Sequence, residues 1–438
     1  YVPWRVNGHG VLLLATSTLM ERERPYLLEV ELAWGTINRL RNQVAQWEAL
    51  GLIISGGMRK QILAMTHDFA QAATTDDAAA AAESAGRALT AALDAMGQLA
   101  SVYAEQAIGM RRAQTPKLAT WFGVQLGGEM PALGVARQLL NSFNMVSVPL
   151  TWRAIEASEG RRTWKAADAQ LSWAQTAGMK VMGGPLLELD DRGVPDWTYL
   201  WEGDFDSLLA FMLDHVTTVV KKYRGKVHLW QVAARMSHGR VLALNEEQRL
   251  QIAARAISKV KELDPSTPLI ATFDQPWAEY LATEKLDLAP LHFADALVRG
   301  DLGLSGLGLE INVGYHPGAT AHRTPLAFSR LIDTWSLLEL PLVISLTLPS
   351  SAEKDDLANA KTQVLTSDGS EVSGATQRAW IERYMPMLLA KTPVQVILWN
   401  QLSDAAPHYF PHGGLFDANE QPKPALEALR RIRQQYLM

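Results

Sequence analysis

Trp121-Phe122-Gly123-Val124-Gln125-Leu126 is the first of eight short apolar runs on which the fold turns. A run of this length and character reads as a buried strand. Similar runs follow at Phe143–Val148, Lys180–Leu186, Val227–Val232, Leu269–Phe273, Gly306–Ile311, Leu342–Thr347 and Val394–Trp399, alternating with amphipathic helical stretches. Eight strand–helix units within residues 120–438 predict a (β/α)8 TIM barrel. A doubly wound sheet would usually show fewer strands, and no Gly-x-Gly-x-x-Gly turn follows the first run. In a barrel the chemistry belongs at the C-terminal ends of the strands, so those positions carry the functional question.

Upstream, the pattern is different. Ile37, Leu40, Val44 and Trp47 keep helical spacing and Gly51 ends that segment. A second helix is expected from about Met58 to Ala72, and Thr74-Thr75-Asp76-Asp77 supplies an N-cap for a third, alanine-rich one. Thr115-Pro116 breaks that helix and marks a boundary. The chain therefore divides into an extended segment over 1–35, with one apolar strand at Val11–Ala15, an α-helical subdomain over 36–114 and the barrel over 115–438. The extended segment reads as the end of a separate β domain, with Glu21-Arg22-Glu23-Arg24 on a solvated face. The helices either pack on their own barrel or serve assembly through residues 36–114.

Composition narrows the partners. The 41 basic residues are scattered and the net charge is −5, so no phosphate-tracking surface is expected and nucleic acid is excluded as a partner. No apolar run approaches the roughly 20 residues that cross a bilayer, so no membrane partner is expected. Zero cysteines exclude disulfides and thiolate zinc sites. The chain begins at Tyr1 and shows no signal peptide, which leaves localisation open.

Several ordered stretches carry a resemblance. Phe143-Asn144-Met145-Val146 precedes Thr151-Trp152, and Glu156-Ala157-Ser158-Glu159-Gly160 and Trp164 come next. His215-Val216-Thr217-Thr218-Val219-Val220 leads to Tyr223-Arg224-Gly225-Lys226-Val227 and Trp230. Leu398-Trp399, Ser403-Asp404, Leu415-Phe416-Asp417 and Pro422-Lys423-Pro424-Ala425 close the chain. Together, over about residues 120–438, they resemble glycoside hydrolase family 10, the xylanases. The resemblance implies a TIM barrel, a polysaccharide or oligosaccharide partner, no cofactor, and a secreted or periplasmic setting.

It also implies two catalytic glutamates, and these are replaced. The acid/base position is Arg235 in Trp230-Gln231-Val232-Ala233-Ala234-Arg235, and the nucleophile position aligns with Leu346. A guanidinium cannot exchange a proton near neutral pH. Retaining hydrolysis needs two carboxyl groups about 5–5.5 Å apart, so catalysis by the family mechanism is excluded on this alignment. No carboxylate lies between Glu339 and Glu353, which makes the loss independent of a small slip in register. The surrounding sugar site has also changed: Thr151 stands for a lysine, Gly184 and Glu188 for a histidine and a tryptophan, and Glu310-Ile311-Asn312 for Gln-x-His.

Relocated catalytic candidates are Glu310, Asp274, Glu188 and Asp404, all placed near the barrel mouth. The competing expectation is that Glu310 pairs with Arg235 and fills the former site. Trp399, Trp152, Trp230 and Asn312 are the carbohydrate-binding candidates, with Trp399 foremost for stacking on a sugar. His238, His408 and His412 with Asp404 show no tight metal-ligand spacing, and no metal is expected. His228 reads as a core histidine. Three functions compete: a non-catalytic carbohydrate-binding or structural barrel, a hydrolase with displaced carboxylates, and an assembly module.

Overall fold

The computed structural model describes residues 1–238, 241–366 and 371–438. It opens with an antiparallel hairpin, β1 (Val2–Val6) and β2 (Gly10–Leu14). Three helices follow: α1 (Leu28–Ala49), α2 (Gly56–Thr74) and α3 (Ala78–Gln114). Gly51, at φ +101°, adopts the backbone that side chains resist and ends α1 as expected. Asp77 caps α3, its carboxylate accepting from Ala79 N at 2.9 Å. Replacing Asp77 with Ala should cost about 1 kcal/mol in chemical denaturation.

The hairpin is more ordered than the sequence suggested. It has two strands rather than one, α1 starts at Leu28, and Val6, Leu12 and Leu14 share one core with Leu32, Ile37, Leu40, Met65 and Leu93. The first 35 residues are thus joined to the helices instead of standing as a separate β unit. That layer in turn packs on the barrel. Along α3, alanines at 81, 85, 88 and 92 are fully buried and bring the three helices close together. Farther along, Ala104 and Ile108 enter the barrel core, where α3 packs against the barrel helix Gly374–Ala390.

The eight barrel strands are β3 (Trp121–Gln125), β4 (Met145–Val148), β5 (Lys180–Gly183), β6 (Leu229–Ala234), β7 (Leu269–Asp274), β8 (Gly306–Asn312), β9 (Leu342–Thr347) and β10 (Val394–Trp399). All are parallel, in the order β5-β4-β3-β10-β9-β8-β7-β6, and Met182↔Leu229 closes the ring. This is a (β/α)8 TIM barrel preceded by a helical region. The pleat sorts the side chains. Met145, Met182, Leu229, Ile270, Val343, Val396 and Leu398 form an inner plug, whereas Leu342, Ile344 and Leu346 join the core beneath the helices. On β9, therefore, Val343, Ser345 and Thr347 share the inner face, and Leu346 points away from the barrel axis.

Candidate functional site at the barrel mouth

Arg235 follows the last residue of β6, with φ +56° in the left-handed region. The ladder between β6 and β7 also slips between Gln231 and Ala233. This bulge and the strained residue throw the guanidinium across the mouth, a costly conformation of the kind held only by dense surroundings. Its partner is Glu310 on β8. Nη2 donates to Oε1 at 2.5 Å and Nε to Oε2 at 3.2 Å, and both residues are buried. Asn312 and Asn400 donate to the same Oε1 at 2.8 and 2.9 Å, which fills that oxygen. The expected pair is thus present and held by charge-assisted hydrogen bonds.

Three more carboxylates surround the guanidinium. Glu188 Oε1 lies 3.4 Å from Nε, while Asp190 and Asp274 lie 3.6 and 3.8 Å from Nη1. A second arginine, Arg192, donates to Glu188 at 2.6 Å and to Asp190 at 2.7 Å. Arg192 reaches back because the turn is tight: a Cβ on Gly193 would meet Glu188 O at 2.2 Å, so only glycine fits. Tyr409 then lies 4.0 Å from the Arg192 guanidinium, closing the loop after β10 over the mouth. Nothing in the sequence spacing tied Asp190, Arg192 or Tyr409 to Arg235, since they come from separate loops.

The electrostatics follow from burial and crowding. Burial raises the Glu188 carboxyl to about 7, Asp190 and Glu310 add to it, and the two arginines oppose it. Asp274 is held well below the usual carboxylate range: burial opposes ionisation, but His238, 2.6 Å away, and Arg235 outweigh it. His238 is raised in turn, because Asp274 overcomes the cost of burying an imidazolium. For Glu188 the sign is clear. A folded-state pKa above the unfolded one means the native state binds the extra proton, so stability falls as pH rises from about 4.5 through 7. Glu188→Gln should flatten this dependence by roughly 1–3 kcal/mol between pH 5 and 8, read by chemical denaturation.

Beside this cluster is a cavity of about 290 Å³. Gln125, Glu188, Gln231, Glu310, Ser345 and Tyr409 are among the residues lining it.

The other candidates fall elsewhere. Asp274 is fully buried behind Arg235 and does not line the cavity. Asp404 is 3% exposed, accepts from Gly414 N at 2.7 Å and Gln401 at 2.9 Å, and is ion-paired to Lys423. Neither can meet a substrate. The three tryptophans are also core residues, each spending its N–H inside: Trp399 on Gly413 O, Trp152 on Glu156, Trp230 on Asp264. Trp399 is 1% exposed, so it offers no face to a sugar. Its strand parity explains this, because Trp399 pairs in register with Leu346 and both face the helices. Asn312 sits at the mouth but serves Glu310. Leu346, at the aligned nucleophile position, likewise faces outward, and the inner positions at that level are Ser345 and Thr347. Neither carries a carboxylate.

The possible metal ligands are similarly committed. Among the described residues, Asp355, Asp404 and His412 have ligand atoms within 4.8 Å of one another, a set that only partly overlaps the expected one. Lys423 Nζ already sits there, donating to Asp404, to Ser350 Oγ at 2.8 Å and to His412 O at 3.0 Å. His408 bonds Asp355 at 3.0 Å, whereas His238 is bonded to Asp274. His228 accepts from Val181 N at 3.2 Å at the start of β6, far from the strand tops.

These features define the class: a TIM barrel whose strand tops carry a buried ion-pair network beside a small cavity. More specifically, the fold is that of the family 10 xylanases. The glycosyl hydrolase family 10 model matches residues 132–240. Endo-1,4-beta-xylanase C of Paenibacillus barcinonensis is 34% identical over 102 residues, 22% of this chain and 9% of that protein. An endo-1,4-beta-xylanase of Agaricus bisporus is 24% identical over 271 residues, 58% of this chain and 78% of that one. The match to the first relative thus spans a small fraction of its length. The crystal structure of xylanase 10B from Thermotoga maritima superposes with a TM-score of 0.55 at 19% identity, covering 74% of this chain and 98% of that chain.

Proposed function

We propose that this barrel binds carbohydrate at its mouth without hydrolysing it. The observation that carries the reading is Glu310, whose carboxylate is taken up by Arg235, Asn312 and Asn400, with the arginine itself at the position where the family mechanism needs a free acid. With Arg235 at the acid/base position and Ser345 or Thr347 at the nucleophile level, neither step of a double displacement has a group to perform it. The xylanase-like barrel makes a glycan the natural ligand class, and the cavity gives it a place. Isothermal titration with xylan, cellulose and mannan oligosaccharides tests the binding half. Heat of binding with at least one is expected, and no heat with any would leave only a structural role.

One observation favours a second reading. Glu188 lines the cavity with a pKa near 7, a value suited to a general acid. If Glu188 acted so, turnover of a glycan would vanish in Glu188→Gln while the fold survived. Assembly through residues 36–114 is a third reading. Burial of α3 against its own barrel argues against it, and light scattering should return a monomer mass; a dimer mass abolished by changes on α2 would restore it.

A further inference from the structure

We infer that the mouth cavity selects a single sugar residue bearing a free amine, with the ammonium seated on the unshared oxygen of Glu188. The inference rests on the carbohydrate-binding reading and adds the chemical class of the ligand. Ligand pockets commonly run from about 300 to 1,000 Å³, and this cavity of about 290 Å³ lies at the small end, which fits one pyranose unit better than a chain.

Several polar atoms of the lining lack a partner among the described residues. Glu188 Oε1 is held by Arg192 and lies near Arg235, but Oε2 has no partner among the described residues. Gln231 spends its amide N–H on Thr272 Oγ1 at 2.9 Å, which leaves its carbonyl end free. Ser345, only 6% exposed, makes no hydrogen bond among the described residues although it lines the cavity. A buried polar group without a partner is costly, so these atoms call for a ligand that brings hydroxyls and N–H groups.

Charge then chooses between them. Glu188, Asp190, Asp274 and Glu310 face Arg192, Arg235 and His238, so with the imidazole protonated the network is balanced while Glu188 keeps its proton and gains one unanswered negative charge when Glu188 ionises. Glu129 and Glu420 add two more at the rim. A neutral sugar would leave Glu188 with its proton, whereas an ammonium would take the proton's place and compensate the ionised carboxylate. Glu310 already answers Arg235, Asn312 and Asn400. An N-acetyl or carboxylate-bearing sugar would lose the interaction or invert it.

The test is titration of the full chain with glucosamine, glucose, N-acetylglucosamine and glucuronate at low salt. The expected result is glucosamine binding about tenfold or more tighter than glucose, since one charge-assisted contact is worth at least that much. The preference should shrink with added salt and drop toward unity in Glu188→Gln. Ser345→Leu, which fills the cavity, should abolish binding of every sugar. Equal affinity of the wild type for glucosamine and glucose would overturn the inference and leave the carbohydrate reading standing. Absence of binding by any sugar would overturn both. The comparison among ligands uses the wild-type protein alone, so a variant that fails to fold does not blunt it.

Discussion

Replacing Glu310 with Ala should lower the unfolding free energy by about 3–5 kcal/mol, because it takes the bidentate partner from a buried guanidinium. Arg235 would keep Asp274, Asp190 and Glu188 at 3.4–3.8 Å but lose its bidentate partner at 2.5 Å. Its strained backbone at φ +56° would also lose the contact that holds it. The double change Arg235→Met with Glu310→Leu should recover much of that loss, since hydrophobic replacement of a whole buried pair is often neutral or better. Denaturant unfolding of both variants measures this. A single variant within about 1 kcal/mol of wild type would mean that the pair is not desolvated as described.

The second large effect belongs to Trp399. Trp399→Ala should cost about 3–5 kcal/mol through the void it leaves between β10 and the helices and the loss of its bond to Gly413 O. The same variant, if it folds, should bind glycans as the wild type does. A loss of binding with stability unchanged would return Trp399 to the role of sugar platform. The two outcomes separate packing from recognition at one residue, through measurements that do not depend on each other.

How far the sequence could be read is shown by these two residues. Apolar runs of five to seven residues alternating with helices specified all eight strands, with Leu342–Thr347 and Val394–Trp399 placed to the residue. Strand parity was harder to read. A fully buried strand has apolar residues on both faces, so nothing in Ile344-Ser345-Leu346-Thr347 says which pair looks inward. That is why sequence alone sets Leu346 and Trp399 at the site when the pleat turns them toward the helices. The Arg235–Glu310 pair was legible because a buried carboxylate at a strand top demands a cation, and few were at hand. Arg192, Asp190 and Tyr409 were not, because their approach depends on the turn at Gly193 and on a loop some two hundred residues away. The hairpin strand Val2–Val6 was missed because its alternation is short and interrupted by Pro3.

The most direct test of the central claim is a reducing-end assay on xylan and xylo-oligosaccharides with the wild-type protein, run beside binding titrations on the same samples. A mouth whose Glu310 carboxylate is already spent on Arg235, Asn312 and Asn400 should release no reducing ends above background while still giving heat on titration. Steady release of reducing ends, lost in Glu188→Gln or Glu310→Gln variants that remain folded, would contradict it.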